Sequence, residues 1–269
     1  MALALELRAN LGLQINRSMI EIIPIAGLPE IQPGDPLPQM LASRCMENDA
    51  RLSPGDVLVV TQKIVSKAED RFVDPANITA SPEAIALAGE VGKDAALVEI
   101  VLQESSAVVR KGPGVLITRH RLGHVMANAG IDASNIGAGN DNRLLLLPVD
   151  PDASAKRIAD ACKAALGFPP AVVISDSFGR PWRMGTVNVA IGVAGMPAML
   201  DQRGDVDRDG RIMQVTNVAV ADAVAGAAGL AMGEGAEGIA ACIVRGLALP
   251  GAAQTSHAIV RPEAEDLFR

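Results

Sequence analysis

Hydrophobic positions along the chain fall into short β-branched runs broken by turn residues, and into longer segments with a helical repeat. Runs of the first kind predict strands at Ile20–Ile25, Val57–Thr61, Ala107–Arg110, Val115–Thr118, Leu144–Val149 and Ala171–Ser175, with another near Ile239–Val244. Helix starts are marked by Ser81-Pro82-Glu83 and Asp150-Pro151-Asp152, where a capping side chain precedes a first-turn proline and an acid that suits the helix dipole. The second of these helices is predicted to reach about Leu166, with Ile158, Cys162, Ala165 and Leu166 on one face. A third, roughly Asn217–Met232, is rich in Ala and Gly and suits close packing. Strands alternate with helices in places and follow one another directly in others. The fold class is therefore read as α/β with mixed α+β character, not a clean doubly wound sheet. No repeat or linker divides the chain, so residues 1–269 are read as a single unit, with room for two interleaved lobes whose boundary the pattern does not mark.

Composition sharpens this picture. A chain of 269 residues buries roughly three quarters of its unfolded surface. With no Tyr, one Trp and four Phe, its core must be aliphatic. The aromatic side chains available to stack a ring are Phe72, Phe168, Phe178, Trp182 and Phe268. Net charge is −7 and no Lys/Arg cluster stands out, which argues against a nucleic-acid partner. The three cysteines lie far apart with neither metal-ligand nor disulfide spacing, as expected of a reducing cytoplasm. The opening MALALELRAN lacks the pattern of a secretory signal, and no run reaches the roughly 18 apolar residues of a membrane span, the longest candidate, Val218–Met232, being interrupted by Asp222.

Several conspicuous motifs lose their force in context. Gly233-Glu234-Gly235-Ala236-Glu237-Gly238 spells a dinucleotide fingerprint, but a helix precedes it and a strand follows, the reverse of what that fingerprint needs. Asp205-Val206-Asp207-Arg208-Asp209-Gly210 resembles half a calcium loop, yet its twelfth position is Thr216 instead of a bidentate Glu. A hairpin turn at Asp209-Gly210 is expected there. His120 and His124 flank a predicted turn and form no ligand pair on a helix.

The chemistry concentrates in three polar segments. Ala127–Asn135 packs Asn128, Asp132, Ser134 and Asn135 among small residues that let a phosphate approach. Ile174–Arg183 places Asp176 and Ser177 at the expected C-terminal end of a strand, with Arg180 and Arg183 after them. Asp176 and Ser177 can ligate a hard cation, and the arginines can hold phosphate or carboxylate. Thr61–Glu69 adds Gln62, Lys63, Ser66 and Lys67. Each acid alone reads as a turn residue and each lysine as a solvated face. Together, with no covalent nucleophile, they suit phosphoryl transfer, in which positioning and charge do the catalysis.

At these residues the chain resembles the F420:γ-glutamyl ligases. The resemblance runs from about Ile22 to Leu247 and rests on Gly27–Ile31, Thr61–Glu69, Ala127–Asn135, Asp176–Arg183, Asp201–Gly204, Met232–Glu234 and Val244–Gly246. It implies an α/β fold with mixed sheets in an intertwined homodimer, and a GTP-dependent ligase. The terminal carboxylate of coenzyme F420-0, a deazaflavin with a lactyl-phosphate tail, would be phosphorylated by GTP. L-glutamate would attack the acyl phosphate, and further γ-linked glutamates would follow. By the same resemblance Asp132, Asp176, Ser177 and Glu234 would hold Mg²⁺ or Mn²⁺, two ions per subunit, with K⁺ assisting. Leu28, Pro29, Glu30, Ile31, Gln62, Lys67, Asn135, Gly233 and Gly235 would contact GTP. Arg180 and Arg183 are placed as phosphate or carboxylate clamps. The chain departs from the family pattern at Ser177, where many members have Thr, at Glu234, where many have Gln, and at Asp70, where Gly is common. Ending at Arg269, it is expected to be the stand-alone type, without the nitroreductase-like domain of fused relatives. Two alternatives stay open: the same chemistry on another carboxylate-bearing acceptor, and a nucleotide-binding homologue without turnover.

Overall fold

The computed structural model describes residues 19–140 and 142–266. The opening decapeptide and Phe268 lie outside them. In chain order the elements are β1 (Glu21–Pro24), α1 (Leu37–Arg44), β2 (Val57–Thr61), α2 (Gln62–Ala68), β3 (Phe72–Val73), α3 (Pro82–Val91), α4 (Ala95–Gln103), β4 (Ser105–Gly112), β5 (Val115–His120) and β6 (Val125–Ala127). There follow β7 (Leu144–Leu145), α5 (Pro151–Leu166), β8 (Ala171–Arg180), β9 (Arg183–Ala194), β10 (Leu200–Asp201), β11 (Asn217–Val218), α6 (Val220–Met232) and β12 (Ala241–Arg245).

The principal sheet has the order β1-β12-β2-β8-β9. Only β2 and β8 run parallel in it; the other three pairings are antiparallel. This is the mixed α/β architecture expected from the sequence. Helices cover both faces. Leu58 and Val60 of β2 point to a core shared with Leu41 of α1 and Ile158 and Cys162 of α5. Val57 and Val59 point to a second core shared with Val224, Ala225 and Ala228 of α6. Burial on both faces explains why β2 reads as an unbroken apolar run. The β4-β5-β6 sheet forms a satellite layer with α3 and α4, its core built on Val98, Val101 and Leu116.

Local chemistry sets the boundaries. Ser81, Asp94 and Asp150 each accept a backbone N–H of the first turn of α3, α4 and α5, and α3 and α5 end on left-handed Gly92 and Gly167. β9 is an edge strand, and carboxylates cap its outward N–H groups: Ala190 N donates to Asp222 and Val193 N to Asp152. Gly192 is needed for close approach, since a Cβ there would lie 2.5 Å from the Pro151 carbonyl oxygen at the start of α5. Asp70, at φ 50°, explains why glycine suits that position.

Three expectations shift, the first being the helix foreseen over roughly Asn217–Met232, which begins at Val220 after the short strand Asn217–Val218. The strand foreseen over Leu144–Val149 is reduced to Leu144–Leu145. Strand β8 does not stop at Ser175 but continues through Asp176 and Ser177 to Arg180, where a two-residue turn at Pro181-Trp182 opens β9. The turn at Asp209-Gly210 does form, closed by a bridge between Val206 and Ile212. The histidines flank a turn as expected, with His120 N donating to His124 O. Among the described residues no helix is long and apolar enough to cross a membrane.

Candidate active site

A cavity of about 610 Å³ opens where α2 leaves β2, beside the extension of β8. Parallel pairing of Thr61 with Ser175 brings the ends of β2 and β8 to the same level. Continuation of β8 past that level places Asp176 and Ser177 beside the first turn of α2. The loop after α6 supplies Gly233–Gly238 to one wall.

Most of the candidate residues converge here. Leu28, Pro29, Glu30, Ile31, Gln62, Lys67, Asn135, Asp176, Ser177, Gly233, Glu234 and Gly235 all line the cavity. Asp132 reaches it through its partners: Gln62 Nε2 donates to its carboxylate at 2.6 Å, and Lys63 Nζ lies 3.2 Å from the same oxygen. Backbone bonds in both directions between Asp132 and Leu145, 2.9 Å each, pin the loop. Ser66 Oγ donates to Gln62 Oε1 at 2.8 Å, which fixes the amide so that its NH₂ faces Asp132. Arg180 and Arg183 are not among the lining residues, and Arg180 Nη2 donates to the Met184 carbonyl.

The charges here are poorly balanced. Burial pushes Asp176 up to about 7; the charge of Asp132 adds to this, and the Ser177 N–H and Lys63 oppose it. Burial also raises Asp132 above its ordinary value, against the pull of Lys63 and Gln62. Glu234 raises both and accepts from Asn188 Nδ2 at 2.8 Å. Lys67 is paired with Glu30 at 2.6 Å. Ser175 Oγ is buried next to Asp176 without a hydrogen-bond partner. Two desolvated carboxylates with hydroxyls of Ser175 and Ser177 beside them fit a hard divalent cation, which would offset both charges at once. Among the described residues no three His, Cys, Asp or Glu side chains are grouped closely enough to hold a metal by themselves. Such an ion would therefore complete its coordination with hydroxyl, backbone, water or substrate oxygens.

Sequence reasoning missed Asn188 and Glu237. Asn188 pairs with Ser177 across the ladder and lines the cavity, but β9 carried no strand signal. Glu237 was hidden in the discarded glycine motif; its carboxylate accepts from Gly235 N at 2.8 Å. Helix α6 does precede that motif and β12 does follow it, so the motif is not a dinucleotide fingerprint.

Comparison with known proteins decides the family. The model of the F420-0:Gamma-glutamyl ligase family matches residues 26–246. The chain belongs to the F420-0:gamma-glutamyl ligase family. The matched span takes in every lining residue of the cavity. Over 255 residues the chain is 41% identical to the coenzyme F420:L-glutamate ligase of Methanothermobacter thermautotrophicus, covering 93% of this chain and 99% of that protein. It is 40% identical over 254 residues to the enzyme of the same name from Methanopyrus kandleri, covering 93% and 97%. It is 41% identical over 250 residues to that of Archaeoglobus fulgidus, covering 93% and 96%.

Proposed function

We propose that this member of the family is a GTP-dependent ligase that joins L-glutamate to coenzyme F420-0 and then adds γ-linked glutamates. The observation that carries the reading is the convergence of Asp132 and Asp176 on one polar cavity with Lys63 and Lys67. The names of the relatives supply the acceptor and the amino acid.

In this reading Asp132, Asp176 and Ser177 hold Mg²⁺ or Mn²⁺, with Glu234 beside them; K⁺ is a further candidate ion. A metal held by these residues would supply charge neutralisation to the phosphates. GTP lies along Leu28–Ile31, Gln62, Lys67, Asn135 and the Gly233–Gly235 loop. Lys63 and Lys67 exchange their carboxylate partners for phosphate oxygens. The acceptor carboxylate takes the γ-phosphoryl group, and the glutamate amine displaces phosphate from the acyl phosphate, leaving an amide, GDP and phosphate. No side chain is a nucleophile. The chain would work as a homodimer in the cytoplasm.

The test mixes the protein with GTP, Mn²⁺, L-glutamate and F420-0. GDP release should require both acceptor and amino acid, and Asp176→Asn should abolish it while leaving the thermal midpoint nearly unchanged. Release that ignores the acceptor would defeat the reading. Turnover of a different carboxylate with F420-0 inert would shift it to another acceptor.

A further inference from the structure

A second cavity, of about 520 Å³, lies against the outer edge of β9, between the β4-β5-β6 sheet and the segment 259–266. Its volume suits a small molecule. Ile117, Val125, Phe178, Val189 and Val260 make its walls largely apolar. His124 meets Phe178 edge to face, with centroids 5.7 Å apart and planes at 77°. Burial holds the His124 imidazole down at about 4, so near neutral pH it is an uncharged ring in an apolar wall.

Basic groups flank this apolar space. Arg110 and Arg261 line it, and among the described residues neither guanidinium has an ion-pair or hydrogen-bond partner. Arg119 is engaged by Asp266 at 3.3 Å, and Asp222 by the Ala190 N–H. An apolar slot with an aromatic wall and two uncommitted guanidiniums suits a flat ring system that carries an anionic group.

The two cavities meet on one strand. Asp176 pairs with Val189 across the β8–β9 ladder, and Phe178 is two residues on. Opposed residues, and residues two apart, project from the same face of a sheet. Asp176 lines the first cavity, whereas Phe178 and Val189 line the second. The Cα atoms of Asp176 and Phe178 are therefore only roughly 7 Å apart. A molecule seated in the second cavity can reach the first with an extended tail.

We propose that the second cavity holds the body of the acceptor, a flat heteroaromatic ring bearing an anionic group, and directs its terminal carboxylate to Asp176. This placement rests on the ligase reading above. It assigns Arg110 and Arg261 to acceptor recognition and leaves GTP and glutamate to the first cavity.

The experiment uses the full chain. The double variant Arg110→Glu/Arg261→Glu changes two exposed side chains, and Val125→Trp fills the slot from β6. Steady-state kinetics should show KM for F420-0 raised about tenfold or more in the charge-reversed variant, with KM for GTP and glutamate changed by less than about twofold. Val125→Trp should abolish F420-0 binding, followed by the fluorescence of the coenzyme, while GTP binding persists. If F420-0 is turned over and both variants keep the wild-type KM, the acceptor does not sit here and the ligase reading stands. If the wild-type protein neither binds nor turns over F420-0, the ligase reading and this placement fall together.

Discussion

Replacing Glu104 by Gln removes a carboxylate shared by two arginines and a histidine at the junction between the satellite layer and the principal sheet. Its oxygens accept from Arg71 Nη2 at 3.0 Å, His120 Nε2 at 3.3 Å and Arg121 Nε at 3.3 Å. Arg71 in turn donates to the Leu147 carbonyl, so the cluster ties α4 and β5 to the segment that follows Asp132 and Leu145. Burial alone would raise the Glu104 carboxyl, but His120, Arg71 and Arg121 outweigh it and hold it down at about 2, against an ordinary value of 4.5. The group is only 14% exposed, so solvent screens the cluster little. A depressed acid contributes stability that is complete above its unfolded value and is lost as pH falls through its folded value. The gap between 4.5 and about 2 corresponds to about 3 kcal/mol at neutral pH. Roughly half of that remains at pH 3, partway through the window. Urea unfolding of wild type and Glu104→Gln at pH 7 and pH 3 measures the difference directly. The variant should be the less stable by about 3 kcal/mol at pH 7 and by about half as much at pH 3. An equal deficit at both values would show that the loss is one of packing and that the charge cluster contributes nothing.

Two further outcomes follow from particular contacts. Gly192→Ala should destabilise the fold by about 1–3 kcal/mol in thermal or urea unfolding, because its Cβ collides with the backbone of Pro151; a neutral result would mean that β9 and α5 separate easily. Ser66→Ala frees the Gln62 amide from its orienting hydroxyl, so metal-dependent turnover should need about tenfold more Mn²⁺ or worse. An unchanged metal requirement would remove Gln62 from the orientation of Asp132.

The elements readable in the sequence were those with a strong local signal. The helix Pro151–Leu166 was bounded by the Asp150 cap at its start, and β2 by a run buried on both faces. Strand β9 was missed because Gly185 and Gly192 interrupt its pattern and its first residues are exposed. Helix α1 has Pro36 at its N-cap and Pro38 in its first turn but no capping side chain, and α2 has none either. Helix α4 is rich in Val, Ile and Leu, which say as much about a strand. The polar segments of the site were visible as polarity out of place. Their contacts were not, because Gln62 and Asp132 are 70 residues apart and Asn188 and Glu234 are 46 apart. Asp176 falls just past the expected strand because the apolar run ends at Ser175; the structure keeps it in β8, where the strand runs into the cavity.

The central claim is that this site activates a carboxylate by phosphorylation. F420-0 whose terminal carboxylate carries a heavy oxygen isotope at both oxygens, incubated with the protein, GTP, Mn²⁺ and L-glutamate, tests it most directly by mass spectrometry of the released phosphate. The account predicts one labelled oxygen in each phosphate released in the first addition. Glutamylated product accompanied by unlabelled phosphate would contradict it.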